Sequence, residues 1–205
     1  MIMSHDSLTG FKPVNPLWNL FKRWWKCQDK TLAEQYANGV EVFDIRVCRY
    51  HNQWWGCHGL VRFNIHWFSL PDLCNWLESC YPKVFYRIVL ERGSNTDVQH
   101  FLRESLHIRQ LKYPKLWRVD IKSPDCQYIG EVYNHNSLLF QKGYLWASHK
   151  TWDLPFCKEI HGSINKSNWY KINLKKEAIK IWENEISKEK DLLGHKEILY
   201  TLDFI

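Results

Sequence analysis

The chain has 205 residues, of which 24% are charged and 45% hydrophobic, and carries a formal net charge of +6. One domain with a full core, covering 1–205, is expected, while disorder is excluded by the composition and a spanning helix by the lack of any run of about 18 apolar residues. Neither the polar Ser4-His5-Asp6-Ser7 so near the start nor an odd, irregular set of seven cysteines suits a secreted protein, and a cytoplasmic location is expected.

In chain order, Met1-Ile2-Met3 reads as a short strand running into that polar turn, and Pro13, Asn15 and Pro16 mark a loop. Apolar residues at helical spacing predict a helix of about ten residues over 17–26. Thr31 with Glu34 three residues on is a capping box for a second short helix, which Asn38-Gly39 ends. Residues 39–59 read as two strands joined by a turn at Asn52. Ser69-Leu70-Pro71-Asp72 opens a helix to about Cys80, Pro71 being acceptable in its first turn. A strand over 84–90 ends at Glu91, and a helix over 97–106 follows. Strands are then expected over 116–121, within 127–136 and over 143–148, a helix over 174–189, a break at Gly194 and a last strand over 198–204. Strands alternating with helices predict an α/β fold with a mainly parallel sheet, and there is no internal repeat or linker.

The even spread of Lys and Arg favours anionic partners only weakly. Twelve tryptophans are unusual, and the pairs Trp24-Trp25 and Trp54-Trp55 invite two readings. They fill space between helices and sheet, which is preferred because large aromatics carry much of any core. Otherwise they sit at a membrane interface. The helix at 174–189 mixes both signs of charge, which suits a solvated face better than a lipid-binding one.

Chemistry concentrates in Gly39–Gly59. Asp44 and Arg46 share a strand face, and His58 ends the second strand. A carboxylate, a guanidinium and an imidazole at one end of a sheet could bind an anion and move a proton; a salt bridge beside a half-buried histidine is the plainer alternative. Cys48, His51, Cys57 and His58 are compact, but their spacing fits no common zinc site. Asp120 and Lys122, on one face of their strand, and Trp146 with His149 are candidates for substrate contact, against core edge and loop.

Ser4-His5-Asp6-Ser7, Trp25-Lys26-Cys27-Gln28, Leu32-Ala33-Glu34-Gln35-Tyr36, Phe43-Asp44-Ile45-Arg46 and His58-Gly59, in that order and spacing, resemble the catalytic X region of bacterial, metal-independent phosphatidylinositol-specific phospholipase C. The resemblance is specific over residues 1–63 and fair through Glu91. It implies a compact, distorted TIM-type barrel with the site at the carboxyl ends of the strands. His5 would be the base, His58 the acid with Asp6 as its partner, and Arg46 the cation on the phosphate oxygens. In a closed barrel the final strand lies beside the first, and Asp203 would hold His5 as relatives' aspartates do. Metal-dependent relatives carry Glu-x-Asp or Glu-x-Glu where this chain has Asp44-x-Arg46, so no cofactor is expected. The alternative is Ca²⁺ or Mg²⁺ held by Asp44 and Glu91. Glu91 departs from the lysine that bacterial members often place there, and is expected to pair with Arg46 or bind a substrate hydroxyl.

The implied substrate is a phosphodiester with a neighbouring hydroxyl, such as an inositol phospholipid, met by peripheral membrane contact. No stable nucleic-acid complex is expected, and the oligomeric state is open. The same chemistry on a nucleotide or other soluble phosphodiester, or a non-catalytic module binding phospho-ligands, are the competing readings.

Overall fold

The computed structural model describes residues 2–111, 113–122, 128–133, 159–161 and 199–202. In chain order come strand β1 (Ile2–Ser4), 3-10 turns at Ser7–Gly10 and Pro16–Phe21, the single-turn helix α1 (Lys22–Trp25), helix α2 (Leu32–Ala37) and strands β2 (Val42–Tyr50), β3 (Gln53–His58) and β4 (Val61–Trp67). Helix α3 (Leu70–Cys80), strand β5 (Phe85–Arg92), helix α4 (Asn95–Gln110) and strands β6 (Leu116–Lys122), β7 (Tyr128–Tyr133), β8 (Glu159–His161) and β9 (Leu199–Leu202) follow.

The helix starts are set by side-chain caps. Thr31 and Glu34 form the expected capping box, Ser69 accepts from the Asp72 N–H, and Ser94 with Asp97 makes a second box that starts α4 two residues before the expected point. The ten-residue helix expected over 17–26 is not formed as one. Asn15 accepts from the Leu17 N–H and starts a 3-10 turn, and a single α turn follows. Leu17 and Leu20 face solvent, so no buried apolar stripe draws the segment into regular α-helix.

The His51-Asn52 turn, both residues at positive φ, closes the β2–β3 hairpin where the sequence placed it. Strand β4 was not among the expected elements, although Val61, Phe63, Ile65 and Trp67 recur at the strand period; it pairs antiparallel with β3.

The sheet runs β7-β6-β5-β2-β1-β9-β8, with the β3–β4 ribbon branching from β2. The pairs β5–β6, β2–β5, β1–β2, β1–β9 and β8–β9 are parallel, so a mixed α/β architecture holds. The last strand lies beside the first, Ser4 against Leu202. The expected strand at 143–148 and helix at 174–189 lie outside the described residues.

The two faces of the sheet differ in chemistry. Phe43, Ile45, Val47, Tyr86, Ile88, Leu90, Val119 and Ile121 belong to one apolar core with Leu73, Cys74 and Leu77 of α3 and Phe101 and Ile108 of α4. Alternation therefore sends Asp44, Arg46, Arg87, Glu91, Arg118 and Asp120 to the other face, and all are buried. Glu104 of α4 accepts from the Trp54 indole at 3.0 Å and from the Leu70 N–H at 2.7 Å, tying hairpin and helices together. Trp25 and Trp54 are buried, as the core-filling reading expects.

Candidate active site

His5 and Asp6 follow β1 directly. Asp6 has left-handed backbone, φ 46° and ψ 53°, a conformation that Asp tolerates better than most residues. The turn directs its N–H to Asp44 Oδ2 at 3.1 Å and its own carboxylate into the cluster. Beneath it, Ser7 Oγ accepts from the Asp44 N–H at 2.8 Å, and Ser4 Oγ donates to Gln35, so α2 fixes the turn.

Arg46 is the hub. Its Nε lies 2.6 Å from Asp6 Oδ1 and 3.0 Å from Asp44 Oδ2, its Nη1 donates to Glu91 Oε2 at 3.1 Å, and its Nη2 meets His5 Nε2 at 2.6 Å. A guanidinium only donates, so in this contact His5 Nε2 is the acceptor. His58, the last residue of β3, is in the opposite situation. Its Nδ1 lies 2.5 Å from the Trp25 carbonyl and its Nε2 3.2 Å from Asp6 Oδ2. Both partners are acceptors, the reverse of the contact at His5. The two histidine side chains keep 12% and 22% of their surface exposed, whereas the charged groups holding them are buried, so the imidazoles are what an incoming ligand meets first.

Glu91 closes the far side. Its Oε1 accepts from Lys122 Nζ at 2.6 Å and from the Gly59 N–H at 3.2 Å, an approach that Gly59 makes with φ 54°. Burial by itself would raise the Glu91 carboxyl, but Arg46, then Lys122 and His58, outweigh it and bring it down to about 2. Asp44 is likewise raised by burial and more strongly lowered by Arg46 and Arg87, ending well below the usual carboxylate range. Burial and Arg46 lower the Lys122 ammonium, yet Glu91 reverses this and leaves it raised.

The expected residues are thus distributed as follows. His5, Asp6, Asp44, Arg46, His58, Glu91 and Lys122 converge. Glu91 pairs with Arg46 as expected, and Lys122 joins the cluster through Glu91. Arg46 lies within β2 and not at its end, because β2 continues past the parallel sheet into the hairpin. Asp120 does not line the cleft: it is fully buried, its Oδ1 2.8 Å from Arg118 Nε and its Oδ2 3.6 Å from Arg87 Nη1. Trp146, His149 and Asp203 lie outside the described residues. The zinc-like set Cys48, His51, Cys57 and His58 does not gather. Among the described residues, only His5, Asp6 and Cys27 form a group of three close enough to hold a metal, and Arg46 stands against that group as a competing cation.

Two contributors were missed. Arg87 donates from Nε to Asp44 Oδ1 at 2.7 Å; the period-two series Arg87, Val89, Glu91 held the signal. Cys27 Sγ lies 3.7 Å from Asp6 Oδ2 and 4.0 Å from His58 Nδ1, which no local pattern announces.

No family model matches the chain, and no curated protein matches it in sequence. Solved structures do. The phosphatidylinositol-specific phospholipase C of Listeria monocytogenes superposes with a TM-score of 0.58 at 13% identity, over 100% of this chain and 87% of that one. The Staphylococcus aureus enzyme, in a structure concerned with modulation of its membrane binding, gives 0.57 at 18% identity over 100% and 85%. Its H258Y mutant gives 0.54 at 16% over 100% and 84%. The chain therefore has the fold of the bacterial phosphatidylinositol-specific phospholipases C.

Proposed function

We propose that the protein is a phosphodiesterase of the phospholipase C type, cleaving a phosphodiester whose alcohol carries a neighbouring hydroxyl, with an inositol phospholipid as substrate. The observation that carries this is the pair of histidines in opposite hydrogen-bonding situations on either side of Arg46. As Arg46 Nη2 turns from His5 Nε2 to the phosphate oxygens, the freed lone pair of neutral His5 takes the proton from the attacking hydroxyl while that oxygen bonds to phosphorus. The proton held between His58 Nε2 and Asp6 Oδ2 passes to the leaving oxygen as its bond to phosphorus breaks, giving a free alcohol and a cyclic phosphodiester. Arg46 meets the phosphate oxygens as their charge grows, its fork positioned beforehand by Asp6, Asp44 and Glu91.

The mechanism is metal-independent. Asp44 directs Oδ1 to Arg87 and Oδ2 to Arg46, and Glu91 directs Oε1 to Lys122 and Oε2 to Arg46. Each oxygen already faces a cation, and Ca²⁺ or Mg²⁺ does not fit between them. Support for Asp203 as the partner of His5 comes from register: Ser4 pairs with Leu202, and these are the residues that precede His5 and Asp203 in the sequence. Closure into a barrel is supported by the parallel pairing of β9 with β1, which sets the last described strand beside the first. Membrane contact is supported by exposed Leu17, Leu20 and Phe21, on the segment leading to the Trp25 carbonyl that holds His58.

Incubation with phosphatidylinositol vesicles, a soluble glycerophosphodiester and cyclic oligonucleotides, with and without chelator, tests the assignment. Turnover of the lipid unaffected by chelator is expected. Turnover of nucleotides alone points to the soluble-substrate reading, and none at all to a binding module.

A further inference from the structure

A second concentration of positive charge lies apart from the histidine cluster. Cys48, Arg49 and Tyr50 at the end of β2, Arg62 near the start of β4, and Arg92, Gly93, Ser94 and Asp97 at the β5–α4 junction line a cavity of about 310 Å³. None of these residues belongs to the cluster around Arg46. Three guanidiniums face one carboxylate, and that carboxylate is committed: Asp97 Oδ2 accepts from the Ser94 N–H and hydroxyl as the α4 cap. Its other oxygen is 3.9 Å from Arg49 Nη1, a loose pairing.

The arginines are held in place before any ligand arrives. The Arg62 guanidinium lies 3.5 Å from the Tyr50 ring centroid and 5.6 Å from that of Trp55, and Arg49 lies 5.9 Å from Trp54. Arg92 Nη2 reaches the Leu60 carbonyl at 3.4 Å. The fork geometry of arginine matches tetrahedral oxyanions, and three guanidiniums outnumber one carboxylate in this lining.

We propose that this cavity binds a phosphate monoester or inorganic phosphate, with Arg62 and Arg92 as the principal donors and Arg49 at the rim. The site is independent of the catalytic reading, because occupancy is measured without turnover. Its ligand is a free phosphate or the terminal phosphate of a lipid headgroup, and the two sources share one chemistry.

The test is titration of the wild-type protein with inorganic phosphate, following the arginine Nε–H resonances by NMR. Saturable shifts of the Arg62 and Arg92 signals are expected, with affinity about tenfold weaker or worse in Arg62→Gln and Arg92→Gln, since each loses a charge-assisted hydrogen bond. Arg62→Lys, which keeps the charge, should recover part of the loss, and Arg49→Gln, at the rim, should weaken binding less. Sedimentation with phosphatidylcholine vesicles, with and without phosphatidic acid, separates the sources. Phosphatidic-acid-dependent binding that both Gln variants lose identifies a headgroup; response to free phosphate only identifies a soluble ligand. Arg62 and Arg92 signals that do not move, or phosphate affinity unchanged in both Gln variants, would overturn the proposal.

Discussion

His58 Nε2 stands 3.2 Å from Asp6 Oδ2 while its Nδ1 stands 2.5 Å from the Trp25 carbonyl, so one imidazole bridges two acceptors held by different segments. Arg46 contacts the same Asp6 carboxylate through Oδ1 at 2.6 Å, so this carboxylate ties His58 to Arg46. His58→Ala and Asp6→Asn are each expected to lower kcat by roughly 10²–10⁴-fold, as expected for loss of a proton-transfer group. Because the His58 side chain is partly exposed, His58→Ala should unfold close to the wild-type temperature. Steady-state kinetics beside thermal denaturation separates the two effects.

His5→Ala removes the acceptor that Arg46 Nη2 now meets and should cost a similar roughly 10²–10⁴-fold in kcat. The pH–rate profile distinguishes it from His58→Ala: the rise with increasing pH that reports a base should vanish in His5→Ala, and the fall at higher pH that reports an acid should vanish in His58→Ala.

Arg46→Lys keeps one charge among Asp6, Asp44 and Glu91 but cannot meet all three carboxylates and His5 at once. A loss of about 10²–10³-fold in kcat with little change in KM is expected, as for removal of a positioned oxyanion donor. Arg46→Ala leaves buried carboxylates short of a partner and should also destabilise the fold by about 3–5 kcal/mol, measured by urea unfolding.

Glu91 is lowered from 4.5 to about 2. The unfolded chain therefore binds this proton more readily than the folded one, and the stability Glu91 contributes is complete above pH 4.5 and lost as pH falls toward 2. The size is on the order of 3 kcal/mol. Urea unfolding across that window should show a steep dependence in the wild type and a flatter one in Glu91→Gln, which starts from a lower stability at neutral pH. Parallel curves would remove Glu91 from the account.

The hairpin and its site residues were legible because each signal was local: alternation places Asp44 beside Arg46, and Asn52 marks the turn that brings His58 back. The capping boxes were equally local. The 17–26 segment was misread because Leu17 and Leu20 fit a helical stripe as well as a 3-10 turn, and only their exposure in the fold decides between them. Arg87 and Asp120 illustrate a different limit. Strand alternation gives the face, but the parallel register of β2, β5 and β6 decides which residue reaches the cleft and which stays under it. Cys27 and the Trp25 carbonyl come from an irregular stretch whose path depends on what it packs against.

Asp203→Asn should fold normally and bind substrate, yet lose at least about tenfold in kcat, because the amide offers the His5 imidazolium no negative charge. Deletion of residues 203–205 should do the same or worse. Wild-type rates in both would give His5 another partner.

The most direct measurement is phosphorus NMR of the wild-type protein acting on phosphatidylinositol vesicles. Attack by the neighbouring hydroxyl predicts a cyclic inositol phosphodiester as the first phosphorus-containing product, appearing in the presence of chelator and absent with His5→Ala. Direct appearance of an acyclic phosphomonoester, or a strict need for Ca²⁺, would contradict the two-histidine, metal-free mechanism.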